Sequence, residues 1–365
     1  MPLTIPTLAE TRALSRDGVI EALRVGALPG NSPAAILAED NGALAFLVLQ
    51  YIARQAQEYL PDQAGEQMLQ RWADIFLPGG RKAATYSVLT ATLSGPAGTV
   101  VPQGTQFSAS GILFQSTADV TLGGTSVLTP ISARALTAGL VGNLPVDTAL
   151  SLVAAISGVT ASATVSAITS YGVDIESVDS LRDRVLFRIR RPPMGGDADD
   201  YVAWAREIPG VTRAWAAPHE VALGTVTIRF MMDDLRAAIG GYPIQADCDA
   251  VAAHIAAVRP VTVSDIYVVA PVPQPVNLAI SNLSPDTPST RAAVLASLSA
   301  MIKQRAAPAR AVNGSLVPAQ TIWAAWQSEA ISAAEGVDYF DLSATDAVML
   351  NGGRMATLGS VTFGA

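Results

Sequence analysis

Length, composition and charge narrow the classes of protein to which this chain can belong. It has 365 residues, which at roughly 150 residues per domain predicts two to three domains. Half of the residues are hydrophobic and 15% are charged, so the chain is predicted to fold rather than remain disordered. The net charge of −8 argues against a general nucleic-acid binder and against attraction to an anionic membrane.

Targeting and metal-binding signals are weak in this sequence. The longest aliphatic run, residues 43–49, is shorter than the ~20 residues that span a bilayer, so no membrane helix is expected. Residues 1–18 lack a basic segment followed by an apolar one, which predicts no secretory signal and therefore cytoplasmic assembly. A lone Cys248 with two histidines, His219 and His254, leaves little material for disulfides or a Cys/His metal site.

A long amphipathic helix is predicted near the N-terminus. Ser32 and Pro33 suit the N-cap and first helical position of a helix that runs to about Tyr59. At 100° per residue, one broad apolar face contains Leu44, Leu47, Val48, Tyr51 and Ile52, together with Leu37 and Tyr59, whereas Phe46, Leu49 and Leu60 fall on nearly the opposite side. Either a partner chain covers the second face, or residues 62–77 fold back over it as a second helix.

The rest of the chain alternates between strand-like and helical patterns. The sequence predicts a multidomain α+β protein with an N-terminal helical region (1–85), a Gly/Thr-rich β domain (86–170), an α/β domain (171–270) and a small C-terminal α+β domain (271–365). Helices are expected at 177–190, 197–207, 247–258, 289–304 and 318–329, and strands at 212–216, 225–231 and 261–269. Three prolines between Pro271 and Pro275 predict a stiff interdomain linker.

Acidic residues form two clusters that resemble metal sites. The common hydrolase and nucleotide-binding motifs are absent from the sequence. Asp197, Asp199 and Asp200 could hold a cation, but they precede a predicted helix, where acids favour the positive end of the helix dipole. In the second cluster Asp249 and His254 lie five residues apart, off the i, i+4 spacing of two ligands on one helix face. Helix capping is therefore the preferred interpretation of both clusters, and no cofactor or metal is predicted.

Five arginines lie within ten residues and could in principle grip phosphate: Arg182, Arg184, Arg188, Arg190 and Arg191. Helical geometry spreads them over more than one face, and Asp179 and Asp183 lie within one turn to pair with them. A salt-bridged structural face or an acidic protein partner is therefore favoured over nucleic acid.

Five ordered segments resemble a known family. They are GPAGTVVPQGTQF (95–107), ARALTAGLVGNLPVDTAL (133–150), DIESVDSLRDRV (174–185), GGDADDYVAWAREIPGVTRAW (195–215) and VTVSDIYVVAP (261–271). Their order and spacing are similar to the baseplate J-like family of contractile phage tails, and closest to the shorter members in Mu-like and P2-like phages and phage-tail-like bacteriocins.

The resemblance implies a non-enzymatic wedge subunit located in the baseplate of a virion or tail particle. Its expected partners are a second copy of itself and a tail protein I-like protein in a shared helix bundle, neighbouring wedges, and a small lysozyme-like-fold wedge protein at the sheath. The bundle contacts would be Leu44, Leu47, Val48, Tyr51 and Ile52 on one side, with Phe46 and Leu49 on the other. A linker at 271–275 would let the C-terminal domain move during contraction.

Two other function classes compete with this interpretation. The Gly/Thr-rich β region favours a surface adhesin or tail-fibre-like β protein, although the predicted N-terminal helix and the absence of repeats argue against one. An enzyme, such as a hydrolase that uses the Asp197–Asp200 cluster, is the third hypothesis.

Overall fold

The computed structural model of the chain describes residues 5–260 and 265–364. It contains two compact units, of which the first comprises the residues up to 81 together with 177–190, and the second comprises 82–176 and the residues from 191 onward. The described residues form eight α-helices and a six-stranded barrel with several smaller sheets. The predicted multidomain α+β class is therefore confirmed.

The first unit consists of four helices. They are α1 (Leu8–Leu23), α2 (Pro33–Glu58), α3 (Glu66–Phe76) and α4 (Val178–Arg190). Helix α1 packs along α2, whereas α3 packs against α4. Leu69 and Ala73 of α3 meet Leu181 and Val185 of α4 in a small buried cluster. Residues 62–77 therefore contribute a helix, as predicted, but it covers α4 rather than the second face of α2.

The packing of α4 differs from the predicted organisation, which counted residues 171–190 with the α/β domain. Its apolar side, which includes Leu181 and Val185, lies on α3, over 100 residues earlier in the sequence. Arg182 reinforces this contact by donating to the backbone oxygen of Ala64 at 3.1 Å. Local periodicity locates such a helix but carries no information about which distant helix will bury it.

The predicted β domain is a closed barrel. Its strands follow the order β1-β6-β4-β3-β7-β8, and β8 pairs back with β1. Alternate residues point inward, so that Leu89, Ala91 and Leu93 of β1 are buried while their neighbours are not. The six barrel strands are β1 (Val88–Leu93), β3 (Gln106–Ala109), β4 (Ile112–Ser116), β6 (Thr129–Ala135), β7 (Ala149–Leu152) and β8 (Ser162–Ser170). Strands β2 (Val100–Val101) and β5 (Val120–Thr121) pair with each other in a separate two-stranded sheet.

A three-stranded sheet with two covering helices follows the barrel. Central strand β10 (Thr225–Met231) is buried along its whole length, pairing antiparallel with β9 (Arg213–Pro218) and parallel with β11 (Asp265–Val268). Helices α5 (Ala198–Ala205) and α6 (Gln245–Val258) pack on it through Tyr201, Val251 and Ile255. The predicted elements are therefore present, except that residues 261–264 of the last predicted strand lie outside the described residues.

The C-terminal part is a second three-stranded sheet with helices. Its order is β15-β12-β16, with β12 parallel to β16 and antiparallel to β15. The elements are β12 (Val272–Ser284), α7 (Pro288–Arg305), β13 (Arg310–Val312), β14 (Ser315–Val317), α8 (Ala324–Ser332), β15 (Tyr339–Ser343) and β16 (Arg354–Gly364). Helix α8 begins at Ala324, six residues later than predicted.

The predicted proline linker is wrong, because residues 272–275 are the first part of strand β12. Pro273 and Pro275 stand in register with Met355 and Thr357 of β16. Proline has no backbone N–H to donate, so it is disfavoured in a strand that has neighbours on both sides. Strand β15, however, pairs with β12 only from Ala279 onward. The prolines therefore occupy a stretch that has a strand neighbour on one side alone, where proline is tolerated.

The sheet that contains β10 and the C-terminal sheet share a hydrophobic core. Met231 of β10 packs with Val276 of β12, Ile302 of α7 and Met355 of β16. Arg213 of β9 bridges the same junction, donating to Asp233 at 2.7 and 2.9 Å and to the backbone oxygen of Lys303 at 2.8 Å. These contacts bind the two sheets together and contradict the expectation that a stiff linker lets the C-terminal domain be positioned semi-independently of the α/β domain.

Candidate interaction surface on the N-terminal helices

Helix α2 begins as its sequence predicts. The hydroxyl of Ser32 accepts a hydrogen bond from the N–H of Ala35 at 3.2 Å, and Pro33 is the first helical residue. Ser32 satisfies one of the free N–H groups of the first turn, and proline has none to satisfy. These two residues fix the start of α2, and its helical period then determines which side chains share a face.

The inner face of α2 is covered by α1 from the same chain. Ala35, Ala38 and Gly42 are buried there, and Phe46 and Leu49 continue the same side at helical spacing and are half-buried. The small residues let the two backbones approach closely: a Cβ atom on Gly42 would lie 2.6 Å from the Cα atom of Arg12. Helix α1 thus packs on this side of α2 around Gly42.

Sequence reasoning missed α1 because its apolar pattern is weak, and Thr11 is its only buried residue. The available signal was the capping box at its start. The N–H of Thr7 donates to the Glu10 carboxylate at 2.7 Å, and the N–H of Glu10 donates to the Thr7 hydroxyl at 3.3 Å. This Thr-x-x-Glu pattern marks a helix N-terminus even where the hydrophobic period is poor.

The outer face of α2 carries large apolar side chains that the first unit leaves exposed. We call the following five residues the outer face: Leu44, Leu47, Val48, Tyr51 and Ile52, which are between 48% and 64% exposed. Leu37 and Tyr59 extend the stripe at its two ends. Full burial of one such side chain contributes about 1.5–3 kcal/mol, and contiguous apolar patches on a soluble surface mark interaction sites. Of the seven residues predicted to make bundle contacts, five form the outer face, and Phe46 and Leu49 are half-buried on the opposite side.

Helix α2 also meets a length and composition test for a membrane span, which the sequence analysis did not expect. Its most apolar window has a mean hydropathy of 1.3 and is 17% buried. The uninterrupted aliphatic run 43–49 is short, but the mean hydropathy of a longer window stays high although it includes isolated polar residues such as Asn41 and Gln50. One such helix is weak evidence for a membrane, because a helix with α1 on one side and another protein helix on the other has the same composition.

The aspartates at the start of α5 act as helix caps. Asp200 is buried, and its carboxylate accepts N–H groups from Gly196 at 2.7 Å, Met194 at 3.1 Å and Asp197 at 3.3 Å. Asp199 pairs with Arg191 at 2.5 Å. No group of three or more metal-ligating side chains converges anywhere in residues 5–260 and 265–364.

The second acidic cluster is also structural. Asp247 forms a buried, two-bond ion pair with Arg236 at 2.6 and 2.8 Å and accepts the N–H of Ile244 at 2.9 Å. His254 of α6 lies 2.8 Å from the carboxylate of Glu207, in the turn that follows α5, and not beside Asp249. Burial raises the pKa of Cys248 to about 11, so that this thiol stays protonated at neutral pH.

The five arginines do not form one basic surface. Arg182 pairs with Asp179 at 2.8 Å, Arg184 is buried, and Arg191 pairs with Asp199. His219 adopts a left-handed backbone conformation in the turn between β9 and β10, where its ring accepts the N–H of Gly224 at 3.1 Å. Arg182, Arg191 and His219 therefore each have a local partner, and the outer face of α2 is the candidate functional site.

Comparison with known proteins identifies the family. The family model described as the baseplate J-like protein barrel domain matches residues 90–172, which cover most of the closed barrel. The model of the baseplate J-like central domain matches residues 193–270, which contain α5 and the sheet centred on β10.

Curated relatives extend the match to nearly the whole chain. Baseplate protein gp47 of Escherichia phage Mu is 31% identical over 357 residues, covering 94% of each protein. The Mu-like prophage FluMu protein gp47 of Haemophilus influenzae is 35% identical, over 70% of this chain and 72% of that protein. The putative protein JayE of Escherichia coli is 34% identical, over 69% of this chain and 90% of that protein.

A cryo-EM structure of the anti-feeding prophage baseplate contains a chain that matches 98% of this one and 90% of its own length, at 11% identity and a TM-score of 0.46. The assignment stands on the curated relatives, which do not favour the adhesin alternative. The chain belongs to the baseplate J-like family.

Proposed function

We propose that this protein is a structural component of the baseplate of a contractile phage tail or tail-like particle, and within it a wedge subunit. The role as a baseplate component is supported by family membership and by phage Mu gp47, a baseplate protein that is similar over 94% of both chains. The clusters that suggested an enzyme are engaged in helix caps and ion pairs, which accords with a structural role.

The outer face of α2 is the single observation that carries the wedge assignment. Its five side chains form an apolar stripe about 12 Å long, taking 1.5 Å of rise per residue from Leu44 to Ile52. The opposite side of the same helix is already occupied by α1. A stripe of this kind on a helix that packs on another helix through its opposite side is typical of helix-in-groove or bundle association, in which each apolar face is covered by a different helix.

In this proposal, a second copy of the chain and a tail protein I-like wedge partner cover the outer face of α2. The other proposed partners are neighbouring wedges and a small lysozyme-like-fold wedge protein at the sheath. The baseplate would assemble in the host cytoplasm. The subunit would then link hub, sheath and adjacent wedges and relay the trigger for contraction. Because the last two sheets share one hydrophobic core, they would move together during such a rearrangement.

The test is co-purification with the tail protein I-like partner after co-expression. The variant Leu47→Asp/Tyr51→Asp places two charges at the centre of the outer face, where they would be buried unpaired in a bundle. Both side chains are more than 60% exposed, so the isolated fold should tolerate them. The matched control is Leu223→Asp, in the β9–β10 turn, where Leu223 is equally apolar and 90% exposed.

Wild type and the Leu223 control should retain the partner, and the α2 double variant should lose it while keeping the far-ultraviolet circular dichroism of the folded chain. Retention of the partner by the double variant would overturn the assignment of this surface. Partition of the wild type into lipid vesicles, abolished by the same double variant, would instead indicate that α2 faces a membrane.

A further inference from the structure

Arg134 differs from every other residue in the strands of the barrel. It is the only charged residue in the six barrel strands. Along β1 and β8 the outward side chains are mainly hydroxyl-bearing and bond within the barrel wall. The hydroxyls of Thr90 and Thr169 lie 3.1 Å apart, and Ser166 donates to the backbone oxygen of Thr90 at 3.0 Å. The wall is thus closed without charged side chains, and the presence of Arg134 needs another explanation.

The guanidinium of Arg134 is held in place but has no counter-ion. Its Cζ atom lies 4.0 Å from the centroid of the Tyr86 ring, and such stacking orients the planar group without neutralising its charge. Within the described part of the chain, no carboxylate lies at ion-pair distance from Arg134. By contrast, Arg213 and Arg236 each make two bonds to an aspartate. The Arg134 fork is therefore free to bind an anionic group.

A cavity of about 410 Å³ lies beside the stacked Arg134 and Tyr86, and this volume falls within the usual range of ligand sites. Gln103 and Thr117 contribute to its lining, which contains no acidic residue. Asp119 does not line the cavity, and its carboxylate accepts the N–H of Gln103 at 2.6 Å. The formal charge on the cavity wall is therefore positive, which favours a carboxylate or another anion that matches the guanidinium fork.

Two exposed leucines adjoin this charged site. Gln115 and Arg134 are direct partners across β4 and β6. The N–H of Leu136 donates to the backbone oxygen of Leu113 at 2.8 Å, and these side chains are 42% and 40% exposed. Because alternate residues of a strand share a face, the polar pair and the leucine pair lie side by side on the outer wall. We call these four residues, together with Tyr86, the barrel patch.

We propose that the barrel patch binds a segment of another protein in which a carboxylate side chain has apolar neighbours. The carboxylate pairs with Arg134, and the apolar neighbours cover Leu113 and Leu136. An exposed ion pair alone contributes little, so a free small carboxylate is not retained without the leucine contacts. Nucleic acid requires several cations, whereas the patch has one. In taking the partner to be another protein of the particle, the inference rests on the proposed function.

Carbodiimide coupling in the full-length chain tests the barrel patch. The probe is the peptide N-acetyl-Leu-Glu-Leu-amide, whose glutamate carries its only carboxyl group. The carbodiimide activates this carboxylate, the ε-amine of an Arg134→Lys variant attacks it, and an amide forms as the urea leaves. The matched control is Ser151→Lys, on the exposed outer side of β7. The chain has two native lysines, Lys82 and Lys303, so wild type gives the background and peptide mapping locates the added group.

Coupling rates are normalised to acetylation of the same amine by an N-hydroxysuccinimide ester. Coupling should be at least fivefold faster at Arg134→Lys than at Ser151→Lys, and Leu113→Ser/Leu136→Ser should reduce it to the control rate. Equal coupling at the two positions would overturn the proposal. A probe with serines in place of its leucines should couple at the control rate at both positions. If it couples at Arg134→Lys as fast as the leucine probe, the patch binds any small carboxylate, and the assignment to a protein segment is wrong.

Saturation-transfer NMR with the same peptide gives a second measurement that retains the arginine. The signal transferred from the full-length wild-type chain should fall at least twofold in Arg134→Gln and stay unchanged in Ser151→Gln. An unchanged signal in Arg134→Gln would overturn the proposal. Failure of wild type to retain the α2 partner would contradict the proposed wedge role, whereas both peptide measurements report on the barrel patch alone.

Discussion

The close approach of α1 to α2 gives a prediction whose sign depends on the structure. Replacing glycine by alanine inside a helix ordinarily stabilises it by about 1 kcal/mol. At Gly42, however, the new Cβ atom would lie 2.6 Å from the Cα atom of Arg12 and 2.9 Å from the backbone oxygen of Thr11. Real Cβ atoms do not approach that closely, so α1 must move away by close to 1 Å.

The expected magnitude follows from two opposing contributions. Overpacking of a fitted contact costs about 1–3 kcal/mol, and the helix-propensity gain of about 1 kcal/mol offsets part of it. Gly42→Ala should therefore lower the stability of α1 docking by up to about 2 kcal/mol. Gly18, in the middle of α1, is the matched control, because a Cβ atom there would have no neighbour within 4 Å. Gly18→Ala should gain the full propensity term.

Hydrogen–deuterium exchange of the α1 amides measures this difference directly. A change of one to two kcal/mol corresponds to a factor of roughly 5–30 in the population of the open form. Exchange in α1 should become faster in Gly42→Ala and slower in Gly18→Ala, with the first unit otherwise folded. Equal protection of α1 in the two variants would refute the packing of α1 on the inner face of α2.

Three further predictions concern the second unit. Asp200→Ala leaves three N–H groups at the start of α5 without their acceptor, and should lower the free energy of unfolding in urea by about 1–3 kcal/mol. Gly172→Ala should lower the thermal midpoint by several degrees, because its Cβ atom would lie 2.3 Å from the backbone oxygen of Gly139 at the end of the barrel. Burial alone would raise the pKa of Asp233, but hydrogen bonds from Arg213 and Thr212 hold this pKa below its ordinary value of 3.8. The Asp233 carboxylate therefore stabilises the fold above pH 3.8, and this stabilisation is lost as the pH falls through the lowered pKa. Arg213→Met should therefore lower stability at pH 7 and move acid unfolding to higher pH, measured by tryptophan fluorescence.

Local chemistry explains which elements could be predicted from the sequence. Ser32 and Pro33 fix the start of α2 through hydrogen bonding and backbone geometry that involve only neighbouring residues. The alternation of buried and half-buried residues in β1 likewise appears directly as a period-two pattern. The uninterrupted burial of β10 does not, because Thr225, Thr227 and Arg229 alternate with its apolar residues and are buried with them. The preference for capping at Asp197–Asp200 agrees with the structure, in which the Asp200 carboxylate accepts the N–H groups of residues 194, 196 and 197 just before α5.

Long-range contacts account for what could not be predicted. The Pro271–Pro275 segment has the composition of a linker, and only the staggered ends of β12 and β15 reveal that its prolines can sit in a strand. The assignment of α4 to the first unit depends on α3, over 100 residues away. The burial of Ala35, Ala38 and Gly42 on α2 depends on packing with α1, whose own apolar pattern is weak. The predicted boundaries at residues 85, 170 and 270 remain proposals.

The central claim is that the outer face of α2 joins this chain to a second copy and to a partner in one complex. Its most direct test is the mass of the co-purified wild-type complex, measured by light scattering after size-exclusion chromatography. The account predicts one species with two copies of this chain, each of 37.7 kDa, and one copy of the tail protein I-like partner. A monomer of this chain that elutes apart from the partner at micromolar concentration would contradict it.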